Sequence, residues 1–406
     1  MSAELVEAMF SRATGAGIDP HDYRRTMGDI AQPAAWAPAC AQAADRYRAS
    51  ADRLLNTSAD HRTRVPDGCS SSAPADRTPR SSADRALRAA GDGGSGAVVG
   101  GGSVTAADRT VNTGTDGGSG TPTGSTATSA GAPTGASTVT RGEYLLLAAR
   151  WSHLATLIPD EHQIAHARAA DSAAEEGFSL LEPGTRANTG HDFNGLLRTA
   201  AQGVGTVVIV PGLDSSKEEF HLLADALVRR GVAVFAMNGP GQGAQVATST
   251  MSADYPAVIS AAIDALGVDR VGVVGLSLGG YYAAAAAARD PRITVAATVS
   301  GPHHLDWTAL PEPIRELMAR RAGSVDAAEA FAATVDLSDT APHITCPLLV
   351  VDGADDRIPG VTNGEPLARL APRGRYLSIP GGDHLIGNNQ SAWMPTVADH
   401  LTEGLA

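Results

Sequence analysis

Apolar side chains follow a helical spacing over two segments in the N-terminal part of the chain. They recur every three to four residues over 33–55 and again over 141–158, where Thr140-Arg-Gly-Glu143 indicates a capping box at the start. From about residue 205 onwards, short apolar runs of strand length alternate with helical segments. This alternation predicts an α/β fold with a mostly parallel, doubly wound sheet and helices on both faces.

Six segments in the second half of the chain are candidate strands, and five of them are largely apolar runs. A long connection, 302–340, follows the fourth run and contains a helical segment, so we expect it to form part of a lid. His303 and His304 lie in this connection, but no Asp, Glu or His spacing around them supports a metal site. The six predicted strands are 205–210, 232–237, 270–274, 293–299, 347–352 and 374–379.

The two helical segments are separated by a long polar stretch. Residues 57–139 are rich in Arg, Asp and Ser at first and then in Gly, Ser and Thr. Such a composition buries too little apolar surface to offset the entropy lost on ordering, so we predict an insertion that is mostly disordered. A partner-binding or substrate-gating arm is the alternative.

A candidate nucleophile lies where a predicted strand meets a predicted helix. The pattern Gly275-Leu-Ser-Leu-Gly279 follows a β-rich apolar run and precedes an Ala-rich helical run. In that context the pattern predicts a nucleophile elbow, with Ser277 projecting its Oγ above the sheet. The glycines are expected because a Cβ at either position would collide with a neighbouring backbone segment.

A serine nucleophile needs a base and an acid, which follow it in this order of elements as acid and then His. Three carboxylates compete for the acid in the loop after strand 347–352. Asp356 is favoured because it lies far enough beyond the strand end to point across the sheet edge, and Asp355 and Asp352 are the fallbacks. His384, on a Gly-rich loop after the last predicted strand, is the candidate base.

Backbone amides are the expected stabilisers of the oxyanion that forms during attack on a carbonyl. One donor normally follows the nucleophile and the other comes from the loop after an earlier strand. These rules assign the amides of Leu278 and Leu213, and Gly212 gives the second loop room to turn its amides inward.

Four motifs together carry a family resemblance. They are Pro211-Gly-Leu-Asp-Ser-Ser-Lys-Glu-Glu219, Asn238-Gly-Pro-Gly-Gln-Gly243, Gly275-Leu-Ser-Leu-Gly-Gly280 and Gly382-Asp-His384. With these motifs the chain resembles the α/β-hydrolases grouped with 2,6-dihydroxypseudooxynicotine hydrolase and the fungal polyketide-shortening hydrolase of the yellowish-green pigment pathway. The resemblance is dense over 204–400 and thinner over 30–55 and 140–183.

The resemblance implies a serine hydrolase whose triad is Ser277, Asp356 and His384, and whose relatives cleave carbon–carbon bonds next to ketones. It also implies an α/β-hydrolase fold with an N-terminal helical cap domain over the active site. The expected organisation is a discontinuous helical cap domain (1–57 and 139–183), the insertion (58–138) and the catalytic domain (184–406) with lid segment 302–340.

The sequence does not decide the substrate or the type of bond that is cleaved. Aromatic and imidazole side chains near the expected site suit a flat, aromatic or polyketide-like substrate, and the candidates are Trp36, Tyr282, His303 and Trp307. Three function classes remain. They are a carbon–carbon hydrolase, an ester or thioester hydrolase or acyltransferase with the same triad, and a non-hydrolytic binding or cyclising member, which the intact triad disfavours.

Composition excludes several other functions. The chain has 406 residues and a net charge of −13, which disfavours binding to nucleic acid and to anionic membranes. Cys40, Cys69 and Cys346 are scattered, so neither a disulfide framework nor a zinc site is indicated. The N-terminus lacks the basic start and apolar core of a signal peptide. We therefore expect a cytoplasmic enzyme with a small-molecule substrate, no metal and no cofactor, and a homodimer is left open.

Overall fold

The structure is a computed structural model that describes residues 2–28, 30, 32–63 and 135–406. Most of the predicted insertion, residues 64–134, lies outside the described residues. Five helices form the described portion of the N-terminal part: α1 (Ser2–Gly15), α2 (Pro20–Met27), α3 (Trp36–Thr63), α4 (Ala136–Ala155) and α5 (Gln163–Leu181). The predicted capping box was wrong, because α4 begins at Ala136 and Thr140 therefore lies inside the helix.

An aromatic cluster holds the N-terminal helices together. The rings of Tyr23 and Trp151 stack with their centroids 6.4 Å apart, and Tyr23 also meets the edge of Trp36. The Trp36 indole nitrogen donates to the carbonyl of Leu154 at 2.7 Å, so this polar atom is paired within the cluster. Because Tyr47 lies beside Tyr144 while Trp36 lies beside Leu154, α3 and α4 run antiparallel.

One eight-stranded sheet forms the core of the rest of the chain. Its strand order is β1-β2-β4-β3-β5-β6-β8-β10, and all neighbours from β4 to β10 are parallel. The predicted mostly parallel sheet is therefore confirmed, and all six predicted strands form to within two residues at either end. Within the described residues the ten strands are β1 (Arg186–Thr189), β2 (Asn194–Arg198), β3 (Gly205–Val210), β4 (Val232–Asn238), β5 (Val271–Leu276), β6 (Ile293–Val299), β7 (His304–Leu305), β8 (Leu348–Gly353), β9 (Val361–Thr362) and β10 (Gly374–Ile379).

The sequence pattern missed four strands. β1 and β2 extend the sheet as an antiparallel edge beside β4, and β7 pairs with β9 as a separate two-residue ribbon. β1 has no buried residue, so it lacks the apolar run by which a strand is found in a sequence. The ribbon ties the connection 302–340 to the loop that follows β8.

Two hydrophobic layers enclose the sheet, as a doubly wound fold requires. Along β3, Val208 and Val210 face one layer, and Val207 and Ile209 face the other. All ten residues of α8 are buried, because this helix lies between the sheet and the connection 302–340. The helices of this part are α6 (His221–Val228), α7 (Tyr255–Leu266), α8 (Leu278–Ala287), α9 (Glu312–Ala322), α10 (Val325–Ala332), α11 (Glu365–Leu370) and α12 (Gln390–Leu405).

Candidate active site

Ser277 occupies a strained turn between a strand and a helix. β5 ends at Leu276, α8 begins at Leu278, and Ser277 between them has φ 53° and ψ −131°. A positive φ is uncommon for a residue with a Cβ, so neighbouring contacts must hold it. The Ser277 amide donates to the carbonyl of Val299 at 2.8 Å, and the Gly280 amide donates to the Ser277 carbonyl at 2.7 Å.

The two glycines of the pattern are needed for steric reasons. A Cβ added at Gly275 would lie 1.9 Å from the carbonyl oxygen of Gly279, and one added at Gly279 would lie 2.2 Å from the carbonyl oxygen of Val210. The first oxygen belongs to α8 and the second to β3, so neither can move without disturbing the helix start or the neighbouring strand. The elbow predicted from the pattern is thus the local geometry of the chain.

The structure brings Ser277, His384 and Asp356 together in one hydrogen-bonded chain. His384 Nε2 lies 2.9 Å from Ser277 Oγ, and His384 Nδ1 lies 2.9 Å from Asp356 Oδ2. The Asp356 side chain is 2% exposed, whereas that of His384 is 34% exposed and reaches the cavity. With the proton on Nδ1, His384 donates to the carboxylate and its Nε2 can accept the serine proton.

The two fallback acids have other surroundings. Asp355 is exposed, whereas Asp352 is buried and accepts a hydrogen bond from the Gly364 amide at 2.9 Å. Burial raises the pKa of Asp352 to about 6, and the charge of Asp356 adds to that rise. Of the three carboxylates, only Asp356 bonds to the imidazole.

The loop that carries His384 is held by a residue that sequence reasoning missed. Ser300, at the carboxyl end of β6, accepts a hydrogen bond on its Oγ from the Leu385 amide at 3.1 Å. Ser300, Leu385 and Ile386 all have positive φ values, at 51°, 66° and 52°. Strained backbone of this kind gathers at functional sites, and here it flanks the imidazole. A polar residue directly after a predicted strand was the available signal.

A cavity of about 170 Å³ opens above Ser277 and His384. Helix α9 supplies one part of its wall, and β7, β9 and residues next to these strands supply another, and both parts are mainly aliphatic. Besides Ser277 and His384, the polar residues that line it are Arg12, Asp214 and Ser300. The aliphatic lining consists of Leu213, Leu278, Leu305, Leu310, Ile314, Leu317, Met318, Ile358, Val361 and Leu385.

None of the four side chains expected to bind substrate lines this cavity, so that expectation is corrected. Trp36 is buried in the N-terminal aromatic cluster, and the Tyr282 ring stacks on Tyr255 with centroids 4.0 Å apart. His303 Nε2 lies 3.3 Å from Ser338 Oγ, and Trp307 packs against the main core. Trp36, Tyr282 and Trp307 are packed elsewhere and His303 faces Ser338, which their residue types alone did not reveal.

The two amides assigned to the oxyanion belong to residues that line the cavity beside Ser277. Leu278 is the first residue of α8, so its amide has no acceptor within its own helix. Gly212, which precedes Leu213, approaches so closely that a Cβ there would lie 2.9 Å from Ser277 Cβ. The loop after β3 therefore passes directly over the elbow.

Two features are absent from the described residues. In that part of the chain, no three His, Cys, Asp or Glu side chains are arranged to hold a metal ion. Within the same residues, no helix has both the length and the apolar character needed to cross a membrane.

Comparison with known proteins gives related sequences. A family model described as alpha/beta hydrolase fold matches residues 205–343. The chain is 31% identical over 195 residues to the 2,6-dihydropseudooxynicotine hydrolase of Paenarthrobacter nicotinovorans, which covers 45% of this chain and 53% of that protein. It is 34% identical over 112 residues to the 20-hydroxy-prefusarin hydrolase FUS2 of Gibberella moniliformis, which covers 24% of this chain and 26% of that protein. The matches thus span about half of the first relative and about a quarter of the second.

Solved structures give a similar result. The crystal structure of the 2,6-dihydroxy-pseudo-oxynicotine hydrolase matches with a TM-score of 0.60 and 25% identity, over 66% of this chain and 82% of that one. AbyA5 matches with a TM-score of 0.52 and 17% identity, over 64% of this chain and 90% of that one. The second likeness concerns the fold alone.

Proposed function

Because the chain is an α/β hydrolase, as its motifs predicted, we propose that it is a serine hydrolase that cleaves a carbon–carbon bond next to a ketone. The observation that carries this proposal is the unbroken hydrogen-bonded chain from Asp356 through His384 to Ser277 at the floor of the cavity. A serine on a strained elbow, paired with an imidazole that a buried carboxylate orients, is the arrangement of an activated nucleophile.

In the proposed reaction, Ser277 Oγ attacks a substrate carbonyl carbon while His384 Nε2 takes the serine proton. The amides of Leu213 and Leu278 donate to the oxyanion of the tetrahedral intermediate. As the intermediate collapses, the carbon–carbon bond breaks and its electron pair leaves as an enolate, which the protonated His384 protonates at carbon. A water molecule, deprotonated by His384, then releases the acid from the acyl-serine and restores the triad.

The size and lining of the cavity support an aromatic or polyketide-like substrate. A protein cavity of ~150 Å³ lined by aliphatic side chains can hold benzene, and the cavity here is about 170 Å³. It therefore has room for one ring with small substituents against the aliphatic wall from α9. The names of the relatives, a pseudooxynicotine hydrolase and a prefusarin hydrolase, support the same class.

Ester or thioester hydrolysis, or acyl transfer, is the second candidate because the same triad and oxyanion amides serve it. The two reactions differ only in the leaving group, since His384 would protonate an alkoxide or thiolate instead of an enolate carbon. An aliphatic cavity also suits an acyl chain, so the triad geometry favours neither bond type.

The test is a side-by-side assay of two substrates, an aryl 1,3-diketone and an aryl ester of the carboxylic acid that cleavage of the diketone would release. The products are identified by mass spectrometry. The proposal expects a carboxylic acid and a methyl ketone from the diketone, with one ¹⁸O from labelled water in the acid, and no turnover by Ser277→Ala. Turnover of the ester alone would move the chain to the second candidate. A product without added water would indicate the cyclising class instead.

A further inference from the structure

The loop that follows Leu213 is rich in buried polar side chains. Asp214 is largely buried, and Ser215, Ser216 and Glu219 are each less than 5% exposed. Buried carboxylates are costly unless they are paired and hydrogen-bonded, so this loop requires partners from another element.

Arg12 of α1 supplies most of those partners. Its Nε and Nη2 lie 2.6 and 2.9 Å from the two carboxylate oxygens of Glu219, which is a bidentate pair. Its Nη1 lies 2.7 Å from Asp214 Oδ2, and Nη2 also donates to Ser215 Oγ at 3.1 Å. Although burial alone raises the pKa values of Asp214 and Glu219, the Arg12 charge holds both below their usual range.

A second helix of the N-terminal part contacts the same loop. His153 of α4 places its Nε2 3.1 Å from Glu219 Oε2 and its Nδ1 2.8 Å from Ser216 Oγ. The loop is therefore bound by α1 and α4 together, with Glu219 shared between them.

The other side of Leu213 is held from within the α/β part. Gln242 Nε2 donates to the carbonyls of Pro211 and Gly212, each at 2.7 Å. Its Oε1 accepts from the Gly239 amide and from the Tyr255 hydroxyl, so the Gln242 side chain is fixed in turn. Gln242 thus holds the carbonyl of the Gly212–Leu213 peptide, which carries the Leu213 N–H, and Arg12 holds the side chain of Asp214, the next residue.

From this arrangement we infer that Arg12 is a positioning residue, by which the N-terminal helix α1 sets the Leu213 amide as an oxyanion donor. The inference rests on the proposed function, since it assigns a role in the same site. The donor N–H belongs to the Gly212–Leu213 peptide, and the Leu213 Cα joins that peptide to the one that leads into Asp214. A shift of Asp214 therefore changes the backbone torsions of Leu213 and turns the donor away from the oxyanion. A misplacement of about 1 Å in a catalytic group can cost on the order of 10² in rate.

Two other roles for Arg12 make different predictions. Arg12 also lines the cavity, and a direct contact with substrate would affect KM more than kcat. Alternatively, Arg12 could serve only to dock α1, and any other contact of α1 with the α/β part would then be equally important. Gln390 offers that comparison, because its Nε2 donates to the Gly15 carbonyl at the end of α1 at 2.7 Å.

The experiment compares Arg12→Gln with the control Gln390→Ala in the full-length protein. For each variant, we would measure the rate of phosphonylation of Ser277 by a fluorophosphonate, kcat and KM on the best substrate found, and the melting temperature. The inference expects Arg12→Gln to lower both kcat and the phosphonylation rate by roughly 10- to 100-fold, with KM within about threefold of wild type. Gln390→Ala should lower the melting temperature while both rates stay within about twofold.

The inference is overturned if Arg12→Gln keeps the wild-type rates, if it changes KM alone, or if Gln390→Ala loses as much activity as Arg12→Gln. If Arg12→Gln fails to fold, Asp214→Asn is measured in its place. This variant should fold because it weakens only one contact of Arg12, and the same changes in kcat, KM and phosphonylation rate then decide the inference. With both variants folded, the double variant should lose less than the sum of the two single losses, since both act through one loop. If wild-type Ser277 takes no label, the serine-hydrolase proposal itself fails, which is a separate result.

Discussion

Ser277 Oγ and His384 Nε2 lie 2.9 Å apart although the two residues are separated by 107 positions in the chain. Both lie at the carboxyl ends of parallel strands, Ser277 directly after β5 and His384 on the loop after β10. In open α/β sheets, ligands bind beyond the carboxyl ends of the strands, because the loops after the strands converge there. The fold thus brings nucleophile and base together, and the contact between them leads to the predictions below.

Replacement of each of the three competing carboxylates should show how much each contributes to kcat. Asp356→Asn should lower kcat by about 10³ to 10⁴, because the amide no longer favours the imidazole tautomer that accepts the serine proton. Asp355→Asn, at an exposed position, and Asp352→Asn, which keeps an acceptor for the Gly364 amide, should stay within about tenfold. Steady-state kinetics of the three variants decide this, and a reversed ranking would assign the orienting role to a neighbour.

Asp352 should make the folded state less stable as the pH rises. Its folded pKa of about 6 lies above its unfolded value, so the folded state binds more protons between about pH 4 and 6 and loses stability as the pH rises through that window. Asp352→Asn should therefore raise the free energy of unfolding above pH 6, by at most about 3 kcal/mol, and should bring little gain below pH 4. Urea denaturation at pH 4 and pH 7.5 measures the difference, and an equal effect at both pH values would contradict the account.

Replacement of glycine by alanine should be tolerated in an ordinary loop but not in the elbow. Gly279→Ala should abolish activity and destabilise or prevent folding, because its Cβ would lie 2.2 Å from the Val210 carbonyl oxygen. Gly203→Ala is the matched control, since a Cβ there meets no atom within 4 Å. Soluble expression, melting temperature and activity of the two variants are compared, and a folded, active Gly279→Ala protein would refute the elbow geometry.

Ser300 should influence catalysis through the loop that carries His384. Ser300→Ala removes the acceptor of the buried Leu385 amide, at a cost of about 1–3 kcal/mol in the free energy of unfolding. We expect kcat to fall with KM nearly unchanged, because the imidazole loses its fixed position. Ser300→Gly also lacks the hydroxyl but tolerates the φ of 51°, so an equal fall of kcat in both variants would assign the effect to the lost hydrogen bond and not to backbone strain.

The polar insertion should be dispensable for folding and catalysis. Helices α3 and α4 run antiparallel, so a Gly/Ser loop of about ten residues can replace 64–134 between them. The closure entropy of a loop grows slowly with length, so the melting temperature should stay the same or rise slightly. A deletion variant that melts normally but has lost activity would instead support the gating or partner-binding arm.

Local patterns were sufficient for the parts of the fold that depend on local chemistry. Five of the six predicted strands are largely apolar runs, whereas β10 at the sheet edge is apolar only in part. The elbow requires glycines that a collision of 1.9 Å at Gly275 explains. Ser277, Asp356 and His384 could be proposed from the sequence because each follows a predicted strand, and the structure brings the three side chains together. β1 was missed because none of its residues is buried.

The parts that depend on distant packing could not be found in the same way. The cavity wall comes from aliphatic residues of α9 whose type is common in any core, whereas the aromatic residues expected there are paired elsewhere. Arg12 contacts a loop more than 200 positions away, and no pattern near residue 12 indicates its partners. Such contacts follow from how the N-terminal helices pack on the sheet.

Fluorophosphonate labelling followed by peptide mass spectrometry tests the central claim most directly, because the reagent reacts with serines activated by a base and an oxyanion hole. The account predicts a single modified residue, Ser277, with labelling abolished in Ser277→Ala and slowed at least 10²-fold in His384→Ala. Ser277→Ala should also lose at least roughly 10³ in kcat while keeping the wild-type melting temperature. Absence of label at Ser277, together with full activity of Ser277→Ala, would contradict the account.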